Sequence, residues 1–181
     1  MNINEKMESI TLGGGCFWCL EPLFEELKGV KQIVVGYAGG KKNNPSYEDV
    51  CSGSTGHAEV VQISFDPEEI SLENILSVFF ESHDPTTPNR QGADVGSQYR
   101  SIILYESDTQ KTVIDQTLLT FSKENKFDKP VITQVQELDQ FFPAEDYHQQ
   151  YFKKNPWAGY CQIVIKPKVD KFRKNFQELR K

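Results

Sequence analysis

Apolar and polar positions alternate along this chain in a way that predicts strands and helices in turn. A short apolar stretch at 9–12 predicts a first strand, which ends in Gly13, Gly14 and Gly15. A helix is predicted over about 16–27, because Leu20, Leu23, Phe24 and Leu27 recur at helical spacing while Glu21, Glu25 and Glu26 take other positions. Gly29 closes it. Residues 31–38 read as a strand followed by a Gly39-Gly40 turn, and 57–65 as a second clear strand ended by Asp66-Pro67. Ser71 is a good N-cap for a helix with Leu72, Ile75, Leu76, Phe79 and Phe80 on one face. A long polar loop, 83–98, precedes a strand at 99–105, a helix at 108–123 and a strand at 131–138. Pro143 opens a short predicted helix over 143–153, and 169–180 reads as a basic amphipathic helix. The long loops do not suit a tightly wound parallel sheet. The expected fold is therefore α+β: a two-layer sandwich with helices packed on a mixed sheet, a ferredoxin-like core.

Composition narrows the partners. A chain of 181 residues, 38% hydrophobic, is the size of a single domain spanning 1–181 with one core. Its net charge of −6 argues against nucleic acid or an anionic membrane surface as partner, since both reward a basic face. No run of 18 apolar residues is present, and the first residues lack the basic and apolar regions of a signal peptide. The expected location is the cytoplasm and the expected state a monomer. The four cysteines should then be reduced there, so they are structural, metal-binding or catalytic.

Cys16 stands out among them. Three glycines precede it, which permit a sharp turn and leave room for another molecule. It falls at a predicted helix N-terminus, where free amides and the helix dipole favour a thiolate. Phe17 and Trp18 follow, and Trp18 points about 200° around the helix from Cys16. Leucines already fill the core stripe, so at least one of these aromatics should line a pocket mouth. An activated thiolate beside an aromatic wall suits a small substrate with an apolar end. The opposing reading is a buried thiol under a glycine turn. Cys19 completes a Cys-x-x-Cys, the arrangement of thioredoxin-like oxidoreductases. It also aligns with Leu23 and Leu27, which suits a buried spectator, and a resolving role stays open.

In the 57–65 strand one face carries His57, Glu59, Val61, Ile63 and Phe65. A carboxyl among apolar neighbours loses solvation, so the pKa of Glu59 should rise and the group could serve as a general acid. An edge-of-sheet Glu facing solvent is the alternative. Asp94 and Tyr47 lie in polar loops and carry little signal alone. Cys161 follows a turn-rich aromatic stretch, from which a mobile cysteine could reach another thiol; it could equally begin a strand over 162–165. Zinc held by Cys16, Cys19, Cys51 and His57 has the wrong spacing in its second pair. His83 and His148 read as ordinary surface histidines.

The residues also match a known pattern. Gly15-Cys16-Phe17-Trp18 resembles the signature of the A-type peptide methionine sulfoxide reductases. The resemblance continues in order through Gly36-Tyr37-Ala38-Gly39-Gly40, Pro45-Ser46-Tyr47, Val50-Cys51-Ser52-Gly53 and Thr55-Gly56-His57-Ala58-Glu59. It runs on through His83-Asp84-Pro85, Gln91-Gly92-Ala93-Asp94, Gly96-Ser97-Gln98-Tyr99-Arg100-Ser101 and Lys154-Asn155-Pro156, spanning about 9–165. The resemblance implies an α+β sandwich that reduces the S epimer of methionine sulfoxide, free or in proteins, without metal or organic cofactor. It implies Cys16 as nucleophile, Phe17 and Trp18 around the sulfoxide methyl, and Glu59 as proton donor to the oxygen. Tyr47 and Tyr99 would hydrogen-bond nearby, with Asp94 in the polar network. Cys161 would resolve the oxidised Cys16, and a thioredoxin would restore the thiols. Two departures stand out: many members lack a cysteine where Cys19 stands, and a second C-terminal cysteine found in some is replaced by a Lys-rich tail. The other enzyme reading is a thioredoxin-like disulfide oxidoreductase using Cys16 and Cys19. The non-enzymatic one is a peptide-binding module with an inert thiol.

Overall fold

A computed structural model describes residues 6–181. The first five residues, on which part of the signal-peptide reading falls, lie outside the described residues. In chain order the elements are β1 (Glu8–Gly13), α1 (Phe17–Glu25), β2 (Val30–Ala38), α2 (Tyr47–Cys51), β3 (Ala58–Phe65), α3 (Leu72–Ser82), β4 (Arg90–Gln91), β5 (Asp94–Val95), β6 (Ile102–Tyr105), α4 (Asp108–Lys123), β7 (Gln134–Glu137), β8 (Phe141–Pro143), α5 (Tyr151–Lys154) and α6 (Lys166–Asn175). Six strands form one sheet in the order β7-β6-β1-β3-β2-β8. Only β6 and β7 run parallel; the other neighbours are antiparallel. The central four strands with α1 and α3 make the expected ferredoxin-like βαββαβ core, and the sheet is mixed as predicted.

β3 lies at the centre and explains the alternation seen in the sequence. Val61, Ile63 and Phe65 join Ile10, Leu12, Leu23, Phe24, Phe79 and Phe80 in the main core beneath the helices. The opposite face contributes Ala58 and Val60 to a small second cluster with Ala38, Ile102 and Leu104. The Ser71 cap is as predicted, and two further caps accompany it. Ser71 accepts the Asn74 amide and Ser107 that of Gln110, while Ser46 and Asp49 form a reciprocal capping box at the start of α2. Cys16 is the N-cap of α1 but makes no side-chain cap bond.

Five expectations are corrected. The helix predicted over 143–153 is instead the strand β8, a 3₁₀ turn at Asp146–His148 and the one-turn α5. The free edge of β2 captures this segment: Pro143 pairs with Gly36, and the Gln149 side chain bonds both the N–H and the C=O of Val35. The strand considered over 162–165 is a π-helical turn, Cys161–Ile165, continuous with α6. Cys161, Ile165, Val169 and Phe172 are its buried stripe, so the tail helix starts earlier than 169 and ends at Asn175, followed by a 3₁₀ turn at Gln177–Leu179. Tyr99 belongs to a 3₁₀ turn, Ser97–Tyr99, rather than to β6. His83 and His148 are not surface residues; both are buried. No helix among the described residues is long and apolar enough to cross a membrane.

Candidate active site

The site forms where β1 meets α1, over the start of β3. Gly15 takes φ +94, a value open to glycine, and its amide donates to the Tyr99 carbonyl at 3.2 Å. This turn presents Cys16, partly buried, at the head of the helix. The first helical amide, Phe17 N–H, donates to Glu59 Oε1 at 3.2 Å. The helix end and the carboxyl on the neighbouring strand are thus tied together.

Burial reverses the expected electrostatics of Cys16. The thiol lies well above its ordinary pKa rather than below it. Burial is the first cause, followed by the hydrogen bond with Cys19 and the Glu59 charge; the Trp18 amide lowers it, as a helix N-terminus should, but by too little. The first helical amide goes to Glu59, and the Trp18 amide is the one that reaches the sulfur. Cys19 moves the other way. Its pKa is lowered by the hydrogen bond from Cys16, by Lys168 and by the Tyr160 hydroxyl 3.6 Å from its sulfur. Cys19 is therefore buried, as expected, but polar in its contacts.

Glu59 is 1% exposed, and its pKa is pushed up to about 8. Desolvation is the main cause, with the charges of Asp94 and Cys19 adding to it and the Phe17 amide opposing. The group is mostly protonated at neutral pH, as its place on β3 suggested. Tyr47, capping-box neighbour at the head of α2, and Tyr99 both feel the Glu59 charge, and burial holds both phenols above their ordinary pKa, as neutral O–H donors. Asp94 accepts a hydrogen bond from the Tyr160 hydroxyl at 3.0 Å.

The aromatic pair divides its work. Phe17 is 1% exposed and packs among Tyr37 and His148. Trp18 is only partly buried and is held on three sides. Its ring stacks on Tyr151 at 3.7 Å and 6°, Tyr160 meets it edge-on, and its Nε1–H donates to His148 Nδ1 at 3.1 Å. Since indole can only donate, Nδ1 of His148 is an acceptor and the ring is neutral, with its proton on Nε2; burial also lowers its pKa. Trp18 is the one of the pair that reaches the surface.

Cys51 is exposed at the end of α2 and bonded to Tyr47, whereas Cys161 is fully buried and feels the charge of Cys19. All four cysteines are free thiols. Sequence reasoning missed Tyr151 and His148, which shape the aromatic wall, and gave Tyr160 no role beyond its motif. They lie in the irregular 141–165 segment, where no periodicity marks a face. Only the density of aromatics there could have drawn attention.

Chemically the site brings together a cysteine thiol, a buried carboxylic acid that titrates near neutral pH and a partly exposed indole, a set that suits a cysteine-dependent reductase. The comparisons with known proteins agree. The family model described as Peptide methionine sulfoxide reductase matches residues 8–180. Peptide methionine sulfoxide reductase MsrA of Trichodesmium erythraeum is 51% identical over 172 residues, covering 95% of this chain and 97% of that protein. Mxr1 from Saccharomyces cerevisiae in reduced form superposes with a TM-score of 0.78 at 35% identity, over 86% of this chain and 89% of that one. The same yeast protein in complex with Trx2 superposes with a TM-score of 0.55 at 27% identity, over 80% of this chain and 84% of that one. The chain belongs to the peptide methionine sulfoxide reductase family. It is an oxidoreductase that returns the S epimer of methionine sulfoxide to methionine at the expense of thiols, a protein-repair activity.

Proposed function

We propose that Cys16 is the nucleophile of this reduction and Glu59 its general acid. The observation that carries the reading is Glu59: buried, protonated at neutral pH, and tied to the first amide of the helix that bears Cys16. The substrate is methionine sulfoxide, free or in oxidised proteins, with its methyl group against Trp18 over Phe17. Tyr47 and Tyr99 donate hydrogen bonds toward the sulfoxide oxygen, and Asp94 steadies the polar network through Tyr160.

The Cys16 sulfur attacks the sulfoxide sulfur while Glu59 protonates the oxygen. The S–O bond breaks as an S–S bond from Cys16 to methionine forms; the released hydroxyl then adds to the Cys16 sulfur, the S–S bond breaks, methionine leaves and Cys16 becomes a sulfenic acid. The Cys16 proton replaces the one lost by Glu59, so the carboxyl ends as it began. Because the resting thiol holds its proton, the nucleophile is generated in the complex rather than before it.

An internal thiol then attacks the sulfenic acid; water leaves and a disulfide forms. Cys161 is the assigned resolver. It lies buried beside Cys19, so it reaches Cys16 only when the 156–165 segment opens. A second reading has a specific observation behind it: Cys19 already shares a hydrogen bond with Cys16 and has the lower pKa of the two. A thioredoxin reduces the disulfide by exchange, as the association of the yeast relative with Trx2 suggests for this chain. The whole chain acts as one reductase domain, a cytoplasmic monomer in a compartment that keeps thiols reduced.

The test is single-turnover reduction of the two separated sulfoxide epimers by the pre-reduced protein, followed by mass mapping of its disulfides. Loss of the S epimer alone with a Cys16–Cys161 link supports the full scheme. A Cys16–Cys19 link moves resolution into α1. An undiminished single-turnover rate in Glu59→Gln sinks the acid assignment.

A further inference from the structure

One buried carboxyl near the site takes no part in this chemistry. Glu21 is 3% exposed and lies three residues after Trp18, on the same face of α1. Its Oε1 accepts the Gln150 N–H at 2.8 Å, and its buried Oε2 has no partner. A half-satisfied buried carboxyl is costly for a fold to keep. Gln150 is unusual in turn. It is a non-glycine residue in the left-handed region, φ 54 and ψ 39, a conformation that persists only when its surroundings hold it there. The next residue is Tyr151, whose ring lies flat against the Trp18 indole. The side chain of Gln150 also reaches Glu25, one turn further along α1.

We propose that Glu21 is a positioning residue for substrate recognition: it holds the strained Gln150 backbone against α1, so that Tyr151 is set on Trp18 and the indole wall of the methyl pocket is fixed. Glu21 touches neither the sulfoxide nor the reacting sulfur; it acts through Tyr151. The inference rests on Trp18 being that wall, and the test separates the two.

The chain has two tryptophans, and Trp157 is 87% exposed, so Trp157→Phe leaves Trp18 as the sole indole reporter. In that background Glu21→Ala should shift Trp18 emission to the red and brighten it as the stacking loosens. With dithiothreitol as reductant, the KM for the S epimer of a methionine sulfoxide peptide should rise about tenfold with kcat within about twofold, the pattern of lost uniform binding. Glu21→Gln keeps an oxygen that accepts the Gln150 amide and should restore both readouts. Tyr151→Leu should reproduce the KM effect, and combining it with Glu21→Ala should add nothing further. A folded Glu21→Ala with unchanged emission and KM overturns the proposal. If that variant does not fold, Glu21→Asp, one methylene shorter, is read instead, and unchanged emission and KM there overturn it equally. If Trp18→Ala leaves KM unchanged, the pocket reading falls, and the emission of Trp18 alone then decides whether Glu21 positions it.

Discussion

The site is assembled from two halves built in different ways. One half, β1, the head of α1 and β3, is held by the sheet: Thr11, Leu12, Val61 and Glu59 are buried, and strand pairing fixes their register. The other half, residues 141–165, has one three-residue strand, a four-residue helix and little else that is regular. It is held by side chains that bond to backbone, Gln149 to Val35 and Glu21 to Gln150, and by the Trp18 indole N–H donating to the His148 ring. On the proposed roles, Cys16, Glu59 and the Trp18 wall sit on the first half, and the residues that hold Trp18 in place, Tyr151 and His148, on the second.

This division predicts where function breaks. Cys16→Ser should abolish sulfoxide reduction in single turnover while the fold persists; residual S-epimer reduction would assign the nucleophile elsewhere. Glu59→Gln should slow the first turnover by roughly 10²–10⁴-fold. The pH profile carries a sign. With its pKa pushed up to about 8, Glu59 holds its proton below that value, so the Glu59-dependent part of the rate should persist at pH 6–7 and fall above about pH 8. Stability follows the same direction. In the unfolded chain Glu59 loses its proton near 4.5, while the folded protein keeps it to about 8, so its contribution declines as pH rises between these values. Glu59→Gln should therefore melt at a higher temperature than the parent at pH 8, with the gap closing by pH 5.

The second half should respond with smaller losses. Gln149→Ala removes bonds to both backbone groups of Val35 and to the Ala144 carbonyl, and should cost about 1–3 kcal/mol. Thermal unfolding reads this as a drop of roughly 2–12 °C for a chain of this size. KM should rise more than single-turnover rate falls, the reverse of Glu59→Gln; equal changes in both would erase the distinction between the halves. The smallest effect belongs to neither. Glu26 bridges Arg173 and Arg180 at the surface, and Glu26→Ala should cost no more than about 1 kcal/mol and leave turnover unchanged.

The same division explains how much could be read from the sequence. Strands and long helices repeat, so Leu20, Leu23 and Leu27 disclosed α1, and the alternation through Val61, Ile63 and Phe65 disclosed β3 and the burial of Glu59. Helix 108–123 was expected at the bounds the structure shows. The 143–153 segment misleads because Pro143 resembles a helix start. Its conformation is decided by the free edge of β2, which no local pattern records. Cys161 was ambiguous for a related reason: the stripe Cys161, Ile165, Val169, Phe172 is helical, but a π turn widens it and the turn residues before it mask its beginning. The pKa of Cys16 runs against the helix-terminus expectation because burial, the Cys19 bond and the Glu59 charge, all set by tertiary structure, outweigh the Trp18 amide.

The proton on the resting Cys16 has a further consequence. Oxidation of a cysteine by peroxide proceeds through the thiolate, and a thiol held above its ordinary pKa reacts slowly. A repair enzyme meets its substrate under conditions in which peroxide is also present. With Cys16 as the proposed nucleophile, the protonated resting thiol is slow toward peroxide before any substrate contact is made.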